Sequence, residues 1–325
     1  MQYQEFVCAV EKKMNKKMEG GMKASLHKTV KNNGTERTGL MIETPGKNIF
    51  PTIYLEEFYE RFQKGEMIDA VIDDILECYQ DAESETPTGV YMLEHFEQIR
   101  EKIVFKLINT KQNEKQLREL PNLPFLDLSI VFYVLLNVRD RGTATMLIKN
   151  EHLRMWNVGK TDIYEAAGEN MIRLLPAELY TVKQTVEEIM HPSGQKKRQN
   201  LLKEKEENQV LDEQKISVEE EQQIPVEEEQ DFMYVLSNHL RSFGAACILY
   251  PHVLEMVGDV IGEDFYVLPS SVHEVIVVPE SYSMEQGEME AMVTEINETQ
   301  VAAEEVLSNH AYFYERKTGK LALSK

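Results

Sequence analysis

Ser271, His273 and Glu274 are the residues whose types and spacing come nearest to a catalytic group, and they lie between two apolar segments. A serine, a histidine and a carboxylate can act as nucleophile, base and orienting group in a hydrolase or transferase. Along a strand, however, Ser271 and His273 share one face and Glu274 takes the other. The residue types also suit a turn whose serine hydroxyls bond the backbone, and we favour that interpretation over a triad.

Other polar turns lie within reach in chain order. One contains His239 and Arg241, and another contains His310. If these turns meet the segment at Ser270, they form a polar pocket in which His239 is a further catalytic candidate. Arg241 and Ser270 are then candidates for contact with a partner. The single tryptophan, Trp156, is typical of a core anchor, and contact with a partner is the alternative.

Common enzyme signatures are missing from the sequence. It has no GxxxxGK[ST] phosphate loop, no GxGxxG after a strand, no HExxH and no GxSxG. Paired Cys and His ligands for zinc are also missing. The three cysteines lie far apart among apolar neighbours and indicate reduced, buried, structural thiols. Asp69, Asp73 and Asp74 lie opposite the apolar stripe of a predicted helix, so we interpret them as a solvated face. The sequence therefore predicts no cofactor and no metal.

Charge narrows the classes of partner. The chain has 35 basic and 56 acidic residues, a net charge of −21, which argues against nucleic-acid binding because an acidic surface repels phosphate. Residues 1–47 are the exception, with nine basic and five acidic residues; we interpret this excess as a solvated helix face, with an acidic partner site as the alternative. No apolar run reaches membrane-spanning length and no signal peptide is visible, so we expect a cytoplasmic protein without a membrane segment.

Residues 195–231 form an acidic insertion. Between Asn200 and Asp231 there are twelve acidic residues and three lysines, and residues 216–222 recur almost unchanged as residues 224–230. Such a segment cannot bury enough apolar surface to offset the entropy of ordering it. We predict a flexible, disordered insertion, with a partner-binding acidic segment as the alternative.

Hydrophobic periodicity places helices and strands around these features. An N-terminal amphipathic helix is followed by a hairpin, residues 22–30 and 35–43, around Asn32-Asn33-Gly34. Further predicted strands are 103–108, 125–138, 143–148, 232–237, 244–249, 264–269, 273–279 and 311–315, interleaved with amphipathic helices. Because no regular βαβ repeat appears, we predict an α+β fold of mixed, mainly antiparallel sheets. The predicted units are 1–85, then 86–194 together with 232–325, with 195–231 inserted.

Several segments together resemble a family of gut clostridial (Firmicutes) proteins known only as a domain of unknown function. They are residues 50–57, 125–128, 152–158, 241–246, 265–276 and 316–320. The resemblance covers nearly the whole chain except the acidic insertion. It implies a bacterial, anaerobic source and an accessory or mobile-element role, and it transfers no functional residue.

Two functions follow as hypotheses. The first is a non-enzymatic protein-binding or accessory protein, acting through an exposed sheet edge, the Trp156 region or the acidic insertion. The second is a hydrolase or transferase with a pocket around Ser271 and His273. The missing catalytic motifs and the uneven charge favour the first.

Overall fold

The computed structural model describes residues 1–45, 50, 52–85, 95–139, 142–190, 200–203, 233–282 and 286–324. Apart from 200–203, the predicted acidic insertion lies outside these residues. The helices are α1 (Tyr3–Lys17), α2 (Glu56–Gln63), α3 (Ile68–Glu85), α4 (Phe96–Ile99), α5 (Glu114–Leu117), α6 (Asn150–Trp156), α7 (Lys160–Leu174), α8 (Val182–Met190), α9 (Val253–Ile261) and α10 (Gln286–Thr299). The strands are β1 (Lys23–Val30), β2 (Glu36–Glu43), β3 (Thr52–Tyr54), β4 (Ile103–Asn109), β5 (Asn122–Phe125), β6 (Leu128–Arg139), β7 (Gly142–Leu147), β8 (Ala177–Thr181), β9 (Tyr234–Asn238), β10 (Phe265–Leu268), β11 (Val275–Pro279), β12 (Tyr312–Glu315) and β13 (Lys320–Leu323).

The N-terminal part is a three-stranded antiparallel sheet, β1-β2-β3, covered by α1, α2 and α3. The predicted hairpin is confirmed, with Val30 paired to Glu36 at its closed end. Asn33 adopts the left-handed conformation in the turn (φ 57°), which asparagine tolerates better than most residues. The apolar faces of α1 and α3 bury Phe6 and Ile72 against the sheet, so this part has a core of its own.

The opposite faces of α1 and α3 carry charges of opposite sign that pair with each other. Lys13 contacts Asp69, and Lys17 contacts Asp73. Asp74 is paired with Arg61 of α2. Basic residues of the N-terminal helix are thus paired with carboxylates of the neighbouring helix. Because these positions are exposed, each ion pair adds little stability.

Two antiparallel sheets make up the rest of the described chain, and the α+β prediction is confirmed. One has the strand order β4-β6-β5 with β7 also paired to β6, and the other has the order β13-β12-β10-β11-β9-β8. A single large apolar core joins them, with Phe132 of the first sheet and Phe265 of the second fully buried. α7 packs on β4, an edge strand of the first sheet whose residues 103–108 are all buried.

One strand prediction was wrong and a second was wrong in part. Residues 244–249 form a buried 3-10 turn, Gly244–Leu249, because a short, wholly apolar run does not distinguish a buried strand from a buried helical turn. The predicted strand 125–138 is two strands, β5 and β6, broken at Leu126, which has a φ of 53°. Asp127 at this break accepts hydrogen bonds from Ser308 and Tyr312, so a long-range contact fixes the turn.

Among the described residues, no helix has both the length and the apolar character needed to cross a membrane.

Candidate functional site

His273 lies in the turn between β10 and β11, where its ring contacts both a carboxylate and a backbone amide. Nε2 lies 3.3 Å from Oε1 of Glu305, and Nδ1 accepts a 3.4 Å hydrogen bond from the backbone N–H of Phe243. The hydrogen bond from His273 lowers the pKa of the Glu305 carboxyl. The acidic partner of His273 is therefore Glu305, which lies 32 positions further along the chain. The sequence pointed instead to Glu274, the acidic residue next to His273.

Ser271 uses its hydroxyl within the turn itself. Its Oγ accepts a 3.1 Å hydrogen bond from the backbone N–H of His273, and its backbone pairs with Val306. The backbone of Ser270 is also bonded, with its carbonyl accepting the N–H of Leu307 at 3.0 Å. Glu274 lies immediately before β11, and among the described residues no side-chain contact joins it to His273.

The turn after β9 carries His239 and Arg241, and both side chains are exposed. The side chain of Asn238 organises this turn by donating to the carbonyl of Ser242 at 2.8 Å and accepting from the N–H of Leu240 at 3.1 Å. Arg241 has a φ of 49° and forms a 2.8 Å ion pair with Glu188 of α8. The arginine thus links this turn to the helix that precedes the acidic insertion.

Two other predicted positions lie away from His273. Trp156 is only 7% exposed and its ring packs on His152 and Phe96, with centroids 5.4 and 6.4 Å away. The indole ring is part of the core, so a partner protein that binds here would have to contact the residues around Trp156 instead. His310 contacts Glu290 of α10 at 3.3 Å.

Sequence reasoning missed Lys106, which lies in β4 and is 6% exposed. Its Nζ lies 4.6 Å from the ring centroid of Tyr133, 4.8 Å from that of Phe243 and 3.5 Å from Oδ1 of Asn32. Burial and, to a smaller extent, the charge of Lys31 lower the pKa of Lys106 to about 7, against an opposing effect of Glu304. The sequence feature that could have identified Lys106 is that it is the single charged residue in the otherwise apolar run 103–108.

Strained backbone holds the aromatic ring of Phe243 between these groups. Phe243 has a φ of 59°, a conformation that is costly for a bulky residue. A Cβ on the next residue, Gly244, would lie 2.1 Å from Oγ of Ser237 and 2.4 Å from the carbonyl of His273. The loop is pressed against the His273 turn, and the Phe243 ring stacks on both His273 (6.0 Å) and Tyr133 (5.5 Å).

A surface cleft of about 530 Å³ lies between α1, the β1–β2 hairpin and α2. We call it the Glu56 cleft. Its lining combines aromatic rings, amides and charges of both signs: Tyr3, Gln4, Lys28, Glu36, Arg37, Thr38, Glu56, Tyr59, Glu60 and Gln63. Three carboxylates face two basic groups, so the lining has a net negative charge.

Glu56, the first residue of α2, lies at the centre of this cleft with about four-fifths of its side chain buried. Its Oε1 accepts hydrogen bonds from the hydroxyl of Tyr3 (2.7 Å) and the backbone N–H of Thr38 (2.6 Å). Its Oε2 is buried with no hydrogen-bond partner among the described residues, and the nearest cation, Nη1 of Arg37, is 3.9 Å away. Burial, together with the carboxylate, raises the pKa of Tyr3 to about 12.

Arg37 contributes little free positive charge to the Glu56 cleft because its guanidinium is already bound. It makes two hydrogen bonds with the carboxylate of Glu304, at 3.0 and 2.8 Å. Tyr3 and Tyr59 form the aromatic wall, with their rings edge to face at 5.1 Å. The cleft thus offers aromatic surface beside a carboxylate oxygen that accepts no hydrogen bond from the described residues. This combination suits a cationic side chain.

A second, more open depression of about 580 Å³ runs along the surface of α10. Its lining includes Glu290, Glu295, Glu298 and His310. It has acidic groups but no aromatic wall in its lining. Within the described ranges, no three His, Cys, Asp or Glu side chains are placed to share a metal ion. Of the three cysteines predicted to be buried, Cys247 is buried, Cys78 is partly buried and Cys8 is exposed. Burial raises the pKa of the Cys247 thiol to about 12, which leaves it without nucleophilic character.

No curated protein and no solved structure matches the chain. The model of one protein family, described as a family of unknown function (DUF5688), matches residues 3–316. This match spans nearly all of the sequence, including both candidate sites, and the chain therefore belongs to the DUF5688 family.

Proposed function

We propose that this protein is a non-enzymatic binding protein that holds a basic segment of a partner protein in the Glu56 cleft. The observation that carries the proposal is the carboxylate of Glu56, whose buried Oε2 accepts no hydrogen bond from the described residues. An unpartnered buried carboxylate oxygen is costly, and a lysine or arginine side chain entering the cleft supplies the missing donor.

The surroundings of Glu56 favour the same ligand chemistry. Glu36 and Glu60 add negative charge at the rim, and Arg37 is neutralised by Glu304. Tyr3 and Tyr59 present rings against which the methylene stem of a basic side chain can pack. The net charge of −21 steers basic partners towards the protein and repels acidic ones.

The experiment is a titration of the full chain with fluorescent peptides of equal length that are basic, acidic or neutral. We expect the basic peptide alone to bind, and Glu60→Lys to weaken it roughly tenfold, about 1.4 kcal/mol. Glu298→Lys makes the same charge change in the depression along α10 and is the matched control, expected to leave binding unchanged.

Equal weakening by the two variants would mean that only the overall charge attracts the peptide, and the proposal would be wrong. Loss of binding in Glu298→Lys alone would move the site to α10. A salt titration separates the cases further, because a contact with largely buried Glu56 is screened less than attraction by the exposed surface.

A second candidate is a hydrolase or transferase with a pocket around Ser271 and His273. The His273–Glu305 contact favours it, since a carboxylate can orient a histidine that acts as a base. The bond between the Ser271 hydroxyl and the turn backbone opposes it. A fluorophosphonate probe distinguishes the two: labelling of Ser271 that is lost in His273→Ala supports an enzyme, and an unlabelled, folded protein excludes an activated serine.

The biological setting remains part of the proposal. The resemblance to clostridial proteins supports a Firmicutes source and an accessory, mobile-element-associated role, and the cytoplasmic location stays a prediction from the sequence. A binding protein of this kind needs no cofactor, and its partner is the protein that carries the basic segment.

A further inference from the structure

Lys106 is a primary amine placed where a structural role alone would favour an apolar side chain. Its neighbours along β4, Phe105 and Leu107, are buried apolar residues, and it is itself 6% exposed. Two aromatic rings, Tyr133 and Phe243, lie within 5 Å of its Nζ. Such rings stabilise a cation but accept no ordinary hydrogen bond. Very few groups around the amine can therefore accept a hydrogen bond from it.

The polar contact of Nζ comes from the tip of the β1–β2 hairpin. Oδ1 of Asn32 lies 3.5 Å away, at the limit of a hydrogen bond, while its amide reaches the carbonyl of Glu304 at 3.4 Å. Both contacts are long, so the side chain of Asn32 is held weakly. Beside it, His273 and Glu305 keep about a third of their side chains exposed, at 33% and 39%. A small molecule that displaces Asn32 therefore meets the amine directly.

We propose that Lys106 is a reactive amine site, at which a small carbonyl compound condenses with Nζ after displacing the side chain of Asn32. This activity is separate from the binding of a basic segment in the Glu56 cleft and uses different residues. The rings of Tyr133 and Phe243, which stack on each other with centroids 5.5 Å apart, would form one wall beside the bound compound, and the burial of Lys106 restricts the ligand to a few heavy atoms.

The chemistry balances without a further reagent. The neutral amine attacks the carbonyl carbon, a C–N bond forms, and the carbonyl π electrons move to oxygen, which takes up a proton. The carbinolamine then loses the oxygen as water together with the second amine proton, which leaves a C=N bond. The neutral amine is available because burial holds the pKa of Lys106 near 7.

Reductive trapping of the full-length protein tests the site. We use glyoxylate with cyanoborohydride at about pH 7 and measure carboxymethylation of each lysine by peptide mass spectrometry. An amine that titrates near pH 7 has roughly a thousand times more neutral form at that pH than one that titrates near 10.4. We expect Lys106 to be modified at least about tenfold more than Lys28, whose side chain is 76% exposed, after allowance for burial.

The wild-type protein provides this result by itself, so a variant that fails to fold does not obscure it. Asn32→Ala removes the covering side chain and is expected to increase modification of Lys106 several-fold, with Lys28 unchanged. Lys106→Arg confirms the assignment of the modified peptide. Modification of Lys28 with Lys106 untouched, in protein that is folded by circular dichroism, would overturn the proposal. An unchanged rate in Asn32→Ala would overturn the route of entry.

Discussion

The guanidinium of Arg37 in β2 and the carboxylate of Glu304 form a two-bond ion pair across 267 positions of the chain. Each side chain is about four-fifths buried. The N-terminal hairpin is thereby fastened to the segment after α10, next to both candidate sites. Parallel bonds of this kind use the planar fork of arginine, which lysine cannot reproduce.

We expect Arg37→Ala to lower the free energy of unfolding by about 2 kcal/mol, and Arg37→Lys to recover only part of it. A double-mutant cycle with Glu304→Ala isolates the pair and should give a coupling energy of about 1–2 kcal/mol. Lys28 and Glu36, which are 3.5 Å apart and well exposed, are the control pair, with an expected coupling below about 0.5 kcal/mol. Equal coupling in both pairs would contradict the role of burial. Urea denaturation measures all of these values.

Asn33 fastens the same hairpin through its side chain. Its amide donates to the carbonyls of Ala303 and Val306, both at 2.8 Å, and its Oδ1 accepts from Asn113 at the same distance. Asn33→Ala removes these bonds and puts alanine at a φ of 57°, so we expect a loss of about 2–4 kcal/mol.

Asn33→Gly is the control for the backbone, because glycine adopts the left-handed conformation without strain. If backbone strain were the main effect, Asn33→Gly would be nearly as stable as wild type. We expect it to retain most of the loss, since the three side-chain bonds are absent in both variants. Urea denaturation of the two variants separates the contributions.

Gly244 is needed where the loop carrying Phe243 approaches the His273 turn. A methyl group there would lie within 2.4 Å of both the Ser237 hydroxyl and the His273 carbonyl. We expect Gly244→Ala to cost about 3 kcal/mol or more and to displace the Phe243 ring. Gly168→Ala in α7 meets open space and should stabilise the protein by about 0.5–1 kcal/mol. Thermal unfolding compares the two, and a mild effect at Gly244 would mean that the loop can move away.

Local pattern predicted the elements whose cause is local. The Asn32-Asn33-Gly34 turn, the helix with Phe6 on its apolar face, and the strand beginning near Ile103 all follow from residue types within a short window. β8 and β13 were missed because their short sequences carry no strong period and depend on neighbours distant in the chain. The 3-10 turn at Gly244–Leu249 was missed for the same reason. α8 was missed although its apolar residues recur at a helical spacing.

The candidate sites depend still more on distant contacts. His273 was identified from the sequence, but its partner Glu305 and the ring of Phe243 come from other segments, and no spacing rule connects them. The Glu56 cleft joins three elements through packing and through the hydrogen bonds of Tyr3 and Thr38 to Glu56. Lys106 is visible in the sequence as a charged residue inside an apolar strand. A lowered pKa can be inferred from that pattern only once the burial of the side chain is known.

Lys106 also makes stability depend on pH in a defined direction. Burial lowers its pKa from 10.5 to about 7 in the folded protein. Between these values the unfolded chain holds a proton on this amine that the folded chain has lost. Because the unfolded state binds more protons, the free energy of unfolding contributed by Lys106 rises with pH across this window, by at most about 1.4 kcal/mol per pH unit.

Lys106→Met removes the amine and keeps a side chain of similar length. At about pH 6 the charged lysine carries its full desolvation penalty, so we expect the variant to gain the most stability over wild type there. That advantage should shrink by a few kcal/mol between about pH 7 and 10 as the wild-type lysine penalty disappears. Urea denaturation of both proteins at three pH values gives the difference, in which the titration of all other groups cancels. A stability difference that stays constant from pH about 6 to 10 would show that Lys106 titrates in the folded protein as it does in the unfolded chain, and that its amine is not neutral near pH 7.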